Sequence, residues 1–206
     1  LDYKAIGLED FGKPGNYFAR QISRWGGQYK LSETESIPSM NKLMEWLPEN
    51  IPHDPSESVV HGDYRLDNMI LHPTEAKVLA VIDWELCTIG HPLGDFTYHI
   101  MQWRMPGGGT GGGTGSLAGA DLKSLGIPSE DEYVAAYCRR TGRKGIDNLD
   151  FYFAYNFFRI AGILQGIAGR VRDGTAASDH ARATSANVRP LADLGWEFAR
   201  RAGAKG

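Results

Sequence analysis

The sequence is poor in cysteine, in uninterrupted apolar runs and in any strong excess of charge. Its 206 residues contain two cysteines, Cys87 and Cys138, which exclude a disulfide framework or a cysteine-based metal cluster and favour a reducing compartment. The most apolar run, residues 151–169, is interrupted by polar side chains that include Arg159. Because such side chains are costly in a bilayer, the run predicts a buried helix and not a membrane span.

The charge balance gives little reason to expect a polyanionic partner. The formal net charge is −3, and residues 151–206 hold eight Lys/Arg against four Asp/Glu, so residues 1–150 carry about −7. We therefore expect neither a nucleic acid nor a membrane as a partner.

The first residues, LDYKAIGLEDFG, lack the basic start and apolar stretch of a secretory signal, and no initiator Met is present. We expect a cytoplasmic protein and a chain that is a segment of a longer polypeptide.

Helical patterns dominate the chain. Asn16 is a candidate N-cap and Gly26 a stop for the first helix, Pro48 ends the second, and Ser129 with Glu132 fits a capping box. The patterns predict helices over residues 16–25, 39–47, 94–103, 129–142, 150–170 and 186–202. The expected fold class is α+β and mainly helical.

Three short β-branched, apolar stretches interrupt the helical pattern. They read SVV (58–60), NMIL (68–71) and KVLAVID (77–83), and the turn HPTEAK predicts a hairpin between the last two. The glycine-rich stretch 106–119 predicts a flexible loop, because it lacks the Lys-Ser/Thr pair and the preceding strand of a phosphate-binding loop.

Polar side chains lie at the ends of these strands. Asp63 and Asn68 lie in the loop between the first two, and Asp83 ends the third. Antiparallel pairing of residues 69–71 with 78–82 would bring Asp83 beside Asn68. Two hard oxygen ligands facing one pocket favour Mg²⁺, which keeps waters and phosphate oxygens in its other positions.

The remaining polar residues of the loop fit phosphoryl transfer. Asp63 can accept a proton from an attacking hydroxyl group or orient that group, and the planar guanidinium of Arg65 can reach phosphate oxygens. We expect Asp63 and Arg65 to be catalytic and Asn68 and Asp83 to bind the metal and its nucleotide.

The run HGDYRLDN has the H-x-D-x-x-x-x-N spacing of the protein-kinase catalytic loop, and IDWE stands where that fold has its metal-binding aspartate. With TIGHPLGD after it, the sequence resembles the aminoglycoside phosphotransferase family of small-molecule kinases. It is particularly similar to the kinase-like domains fused to acyl-CoA dehydrogenases. The resemblance implies that residues 1–206 form the C-terminal lobe of a kinase-like fold, with a small β-hairpin that carries the catalytic loop.

The same resemblance implies roles for individual residues. Asp63 would be the catalytic base, Asn68 and Asp83 would hold Mg²⁺ with ATP as co-substrate, His61 would brace the loop, and Asp95 would be a buried acceptor for backbone donors of the loop. Two roles stay open for Arg159. It could pair with a buried acid or line the substrate cleft, and we expect the second.

The family's ATP-binding lobe, a β-sheet with a glycine-rich loop and a strand lysine, has no counterpart in residues 1–58. We therefore expect the N-terminal lobe of the same parent chain to be a partner, and this segment alone to be inactive.

Two other functions remain open at this point. A metal-dependent hydrolase or phosphatase could be built from His61, Asp63, Asp83, Glu85 and His91. A non-catalytic lobe could bind a ligand or a partner only. For the kinase, the basic C-terminal third disfavours a polycationic antibiotic and favours a neutral or anionic small molecule with a hydroxyl group, such as a hydroxyacyl-CoA.

Overall fold

The computed structural model describes residues 2–106, 115–176 and 179–206. These ranges form a mainly helical α+β protein, as predicted. The helices are α1 (Tyr17–Ser32), α2 (Pro38–Glu49), α3 (Pro92–Ile100), α4 (Glu130–Thr141), α5 (Leu149–Arg172), α6 (Asp179–Ser185) and α7 (Val188–Arg201). The strands are β1 (Ser58–Val60), β2 (Met69–Leu71), β3 (Val78–Val81) and β4 (Thr88–Gly90). Most of the glycine-rich loop, residues 107–114, lies outside the described residues.

Helix α5 is the centre of the core. It packs against α1, α2, α3, α6 and α7, and nearly every side chain from Phe151 to Gln165 is buried. A helix that is apolar around its whole circumference has to be covered on all sides, which is what the sequence of this run predicts. Aromatic rings supply much of the packing, as where Phe157 stacks on Phe198 with centroids 5.5 Å apart.

Helix α1 continues past Gly26, where the sequence predicts its end. A Cβ atom at Gly26 would lie 3.5 Å from the sulfur of Met44 and 3.8 Å from the ring of Phe158, so the glycine sits where α1 lies close to its neighbours. Tyr29, one turn further on, is fully buried and holds the extended helix to the core. Asn16 precedes the helix but makes no side-chain cap.

The other helices agree with the sequence apart from their ends. Helix α2 includes Pro48 in its last turn, and α3 begins at Pro92 and gives way to a 3₁₀ turn after Ile100. The capping box of Ser129 and Glu132 is present at the start of α4. Helix α6 is absent from the sequence prediction.

The four strands form two antiparallel pairs. Strand β1 pairs with β4, in the register Ser58 to Gly90, and β2 pairs with β3, in the register Met69 to Val81. Strand β4 is the one strand here that the sequence does not predict. Two connections therefore run between the sheets, residues 61–68 from β1 to β2 and residues 82–87 from β3 to β4.

The β2–β3 hairpin stands away from the helical core. Eight apolar side chains on the hairpin and its flanks are 40% or more exposed, and we call them the hairpin surface: Leu66, Ile70, Leu71, Val78, Leu79, Ile82, Trp84 and Leu86. Among the described helices, none combines the length and hydropathy that crossing a membrane requires.

Candidate active site

The 61–68 loop is fixed at its start by a carboxylate from α3. Asp95 Oδ2 accepts a hydrogen bond from the backbone nitrogen of His61 at 2.6 Å, and Oδ1 accepts one from that of Gly62 at 2.9 Å. Burial raises the pKa of Asp95 even though both hydrogen bonds lower it. The role implied for Asp95, an acceptor for the loop's backbone donors, is confirmed.

The ring of His61 joins the two connections between the sheets. Its Nε2 lies 2.8 Å from the carbonyl oxygen of Ile82, and its Nδ1 accepts a hydrogen bond from the backbone nitrogen of Asp63 at 3.2 Å. His61 therefore braces the loop, as the resemblance implies. Both ring nitrogens are engaged in these contacts, so this histidine is not placed as a metal ligand.

Gly62 has a backbone that only glycine adopts without strain at this point. Its φ is +84°, and a Cβ atom would lie 2.6 Å from the carbonyl oxygen of Leu86. The close approach of residues 61–68 to residues 82–87 therefore depends on the absence of a side chain at residue 62.

Asp63 and Asn68 contact each other directly. The amide nitrogen of Asn68 donates to the carbonyl oxygen of Asp63 at 2.8 Å and to its Oδ2 at 3.0 Å. Since the nitrogen is engaged with Asp63, the amide oxygen is the atom that Asn68 can offer to a cation. Both side chains are partly exposed, which leaves them open to a ligand.

Asp83 follows β3 in a left-handed conformation, with φ 67° and ψ 49°. Such a backbone is costly for most residues and less so for Asp, and residues held in it against that cost cluster at active sites and ligand-binding sites. The backbone nitrogen of Ile82 donates to the carbonyl oxygen of Asn68 at 2.9 Å, so Asp83 follows directly on the residue that pairs with Asn68. The shared metal role of Asn68 and Asp83 stays a prediction.

Arg65 is engaged within the loop. Its guanidinium forms an ion pair with Asp67, two residues further along. Contact between Arg65 and a phosphoryl group stays a prediction.

Two buried residues behind the loop complete the site. Arg159 is 4% exposed, and its Nη2 donates to the carbonyl oxygen of Gly62. Its guanidinium lies 4.5 Å from the ring centroid of Tyr98, a residue of α3 that is 5% exposed. The expectation that Arg159 lines a cleft is therefore wrong. Its charge within an apolar helix was a signal in the sequence, whereas Tyr98 offered none.

The arrangement disfavours the hydrolase alternative. Over residues 2–106, 115–176 and 179–206, no three His, Cys, Asp or Glu side chains are grouped so that they could hold a metal ion. His91, which that alternative requires, accepts a hydrogen bond from the backbone of Leu93 at 3.2 Å through Nδ1 and faces Asp54 through Nε2. It is a structural residue at the start of α3.

Comparison with known proteins agrees with the sequence resemblance. The model of a phosphotransferase enzyme family, APH, matches residues 1–152. A crystal structure of an aminoglycoside phosphotransferase-like protein from Ralstonia eutropha JMP134 superposes with a TM-score of 0.91 at 57% sequence identity, over 98% of this chain and 60% of that one.

Curated relatives carry the same segment within much longer proteins. Acyl-CoA dehydrogenase family member 10 of mouse is 42% identical over 206 residues, which is 98% of this chain and 19% of the relative. Acyl-CoA dehydrogenase family member 11 of human is 38% identical over 203 residues, which is 98% of this chain and 26% of the relative.

Proposed function

This chain belongs to the APH family of phosphotransferases, and we propose that it forms the C-terminal lobe of an ATP- and Mg²⁺-dependent enzyme that transfers the γ-phosphoryl group to a hydroxyl group of a small molecule. The family supports a kinase-type activity on small molecules. The lobe assignment, the cofactors and the acceptor are parts of the proposal.

The observation that carries the proposal is the contact between Asp63 and Asn68 in a loop held by Asp95. Phosphoryl transfer needs little covalent chemistry from the protein, so catalysis depends on positioning and on neutralising charge. The Asp63 carboxylate would orient the acceptor hydroxyl and accept its proton. A carboxylate in this position needs a fixed orientation, which the loop provides.

The residues present fit a magnesium ion. The amide oxygen of Asn68 and the carboxylate of Asp83 would hold it, since both are hard oxygen donors and Mg²⁺ takes few ligands from the protein. When bound, Mg²⁺ would offset the negative charge of the phosphate oxygens. Arg65 would add a positive charge on the same side if it exchanged Asp67 for a phosphoryl group.

The exposure of the hairpin surface supports the proposal that a second lobe is a partner of this chain. Monomeric proteins seldom leave a continuous apolar surface in water, and such surfaces mark contact with another domain or a ligand. The hairpin follows the 61–68 loop directly, so a domain covering it would lie beside Asn68 and Asp83. We propose that the N-terminal, ATP-binding lobe of the same polypeptide covers it.

For the acceptor, we propose a neutral or anionic molecule with a hydroxyl group, such as a hydroxyacyl-CoA. The net positive charge of residues 151–206 supports this choice over a polycationic aminoglycoside. The names of the curated relatives, which are acyl-CoA dehydrogenases, point in the same direction.

The proposal is tested by measuring ADP release from MgATP by the polypeptide that joins this chain to its ATP-binding lobe. We expect 3-hydroxybutyryl-CoA to raise the rate and kanamycin to leave it unchanged, with the rate falling on addition of EDTA. Phosphate release from a phosphate ester without ATP would support the hydrolase instead. Stimulation by kanamycin alone would overturn the acceptor class and leave the kinase assignment standing.

A further inference from the structure

A cavity of about 290 Å³ lies between α3, α4 and the segment that runs from β1 into the 61–68 loop. Five of the residues that line it carry rings: Tyr64, Phe96, His99, Tyr133 and Tyr137. Phe96 stacks on Tyr137 with ring centroids 3.7 Å apart, and the hydroxyl oxygen of Tyr133 lies 3.1 Å from Nε2 of His99. Small-molecule sites are concave and lined mainly by apolar and aromatic side chains around a few polar groups. The wall of this cavity fits that description.

The cavity adjoins the proposed base through Tyr64. This residue follows Asp63 in the chain, and its ring centroid lies 5.6 Å from that of His99. Asp95, which holds the start of the 61–68 loop, also lines the cavity, but both of its oxygens accept backbone hydrogen bonds. A molecule in the cavity would therefore contact the residue next to Asp63 and would meet a carboxylate that is already engaged within the fold.

Arg140 supplies a positive charge to the cavity from α4. It is exposed and forms no ion pair with the side chains that the structure describes. Two other arginines near α4 differ from it, because Arg104 is paired with Glu130 and Arg143 with Asp54. The planar fork of a guanidinium matches the oxygens of phosphate and carboxylate groups. An unpaired arginine beside an aromatic cavity is therefore suited to bind the anionic group of a ligand.

We propose that this cavity is the acceptor site, in which the rings hold an apolar part of the acceptor and Arg140 pairs with its phosphate or carboxylate group. The site would select a molecule that combines a hydroxyl group, an apolar part and a negative charge. This inference rests on the proposed function, because it assigns the cavity to the molecule whose hydroxyl group Asp63 orients. The volume lies near the lower end of the ~300–1,000 Å³ range of small-molecule sites, so a large acceptor would place only part of itself here.

The first test measures KM for three acceptors in the polypeptide that joins this chain to its ATP-binding lobe. They are 3-hydroxybutyryl-CoA, which carries phosphates, free 3-hydroxybutyrate, which carries a carboxylate, and the uncharged N-acetylcysteamine thioester of 3-hydroxybutyrate. With ADP release from MgATP as the assay, we expect Arg140→Gln to raise KM about 10-fold for at least one of the two anionic acceptors. KM for the uncharged thioester and for ATP should stay within about 2-fold. The acceptor whose KM rises identifies the group that Arg140 binds.

Arg139→Gln is the matched control for this measurement. Arg139 is also exposed and lies in the same last turn of α4, but it is not among the residues that line the cavity. We expect it to retain the wild-type KM for all three acceptors. The acceptor site is overturned if Arg140→Gln and Arg139→Gln have equal effects, or if Arg140→Gln changes KM for the uncharged thioester as much as for the anionic acceptors.

A second variant tests whether the acceptor occupies the cavity itself. Val59 of β1 lines the cavity, and Val59→Phe would fill part of its volume. We expect KM to rise about 10-fold for the uncharged thioester as well as for the anionic acceptors, because the change removes space and not charge. Urea unfolding verifies that the variant is folded, and Val59→Leu, with a smaller rise in KM, replaces it if it is not. A wild-type KM for every acceptor in a folded variant would show that the cavity is not used.

Calorimetric titration with 3-hydroxybutyryl-CoA and with 3-hydroxybutyrate, in the absence of nucleotide, separates this inference from the proposed function. If none of the acceptors raises ADP release but Arg140→Gln weakens binding of an anionic one about 10-fold, the proposed function fails and the binding site stands. If the acceptors raise ADP release but neither Arg140→Gln nor Val59→Phe alters KM or binding, the site is overturned and the proposed function stands.

Discussion

The side-chain amide of Asn68 hydrogen-bonds to Asp63 twice, at 2.8 Å to the backbone carbonyl oxygen and at 3.0 Å to Oδ2. One residue therefore closes the turn of the loop and also orients the carboxylate. Because the amide oxygen remains for a cation, a metal bound there would be linked through a single side chain to the proposed base. A substitution at Asn68 would change both functions together, so the separate contributions have to be measured at Asp63 and Asp83.

Asp63→Asn is expected to lower turnover by about 10²- to 10⁴-fold and to change ATP affinity little, since the amide retains the shape but cannot accept a proton. The measurements are ADP release and calorimetric titration with ATP, with Glu75→Gln on the exposed hairpin turn as the charge-matched control. Wild-type turnover in Asp63→Asn would remove this residue from the mechanism.

Asp83→Asn is expected to abolish the dependence of ATP binding on Mg²⁺. Asparagine tolerates the left-handed backbone found at this residue, so the variant removes a charge without adding strain. ATP affinity is measured in Mg²⁺ and in EDTA, and Glu85→Gln is the control variant. If the Mg²⁺ response of Asp83→Asn equals that of the wild type, Asp83 is not a ligand.

Gly62→Ala is expected to destabilise the chain more than Gly142→Ala. Both glycines have positive φ, +84° and +72°, so both variants carry the left-handed strain of about 1–2 kcal/mol. A Cβ atom at Gly62 would also lie 2.6 Å from the Leu86 carbonyl oxygen, whereas none of the described atoms lies within 4 Å of one at Gly142. We expect an additional loss of about 1–3 kcal/mol for Gly62→Ala, measured by urea unfolding. Equal losses of stability in the two variants would contradict the close approach of residue 62 to the Leu86 carbonyl oxygen.

Stability is expected to fall below about pH 6.5 because of His99. Burial lowers the pKa of this ring in the folded chain. As the pH falls through the unfolded value of about 6.5, the unfolded chain binds a proton that the folded chain does not, and the free energy of unfolding drops by up to about 1.4 kcal/mol per pH unit. The decline ends at the lower, folded pKa.

The measurement for His99 is urea unfolding at pH 7.5, 6.5 and 5.5. His99→Gln should have a shallower decline than the wild type, and His53→Gln, at an exposed site, should keep the wild-type slope. Identical slopes in all three proteins would rule out His99 as the source.

Leu79→Lys on the hairpin surface is expected to leave the stability of this chain within about 0.5 kcal/mol, because the side chain is 51% exposed. Binding of the separately produced ATP-binding lobe should weaken, because a charge would be buried at the contact. Leu31→Lys, at a leucine that is 86% exposed on α1, is the matched control. Equal binding by both variants would show that the lobe does not cover the hairpin.

Much of the fold could be predicted because its signals are local. The capping box at Ser129 and the apolar run of α5 depend on neighbouring residues, and both are present in the structure. Strand β4 could not be predicted, because its partner Ser58–Val60 lies about thirty residues earlier and the stretch Thr88–Gly90 has little strand character of its own. Gly26 was predicted to end α1, but close packing against α2 and α5 outweighs its low helix propensity.

The candidate site likewise contains residues that the sequence predicts and contacts that it does not. The positions of Asp63, Asn68 and Asp83 follow from motif spacing, and the support from Asp95 and His61 follows from the family resemblance. The contact between Arg159 and Tyr98 could not be predicted from the sequence, because it depends on how α3 packs against α5. No local pattern in the sequence records which residues of two distant helices face each other.

Helices α3 and α5, which contact residues 61 and 62 through Asp95 and Arg159, both belong to the helical body of the chain. The apolar hairpin extends away from that body. The start of the 61–68 loop is thus anchored on the helical body, whereas Asn68, at the base of the hairpin, links Asp63 to the part of the chain that the proposed lobe would cover.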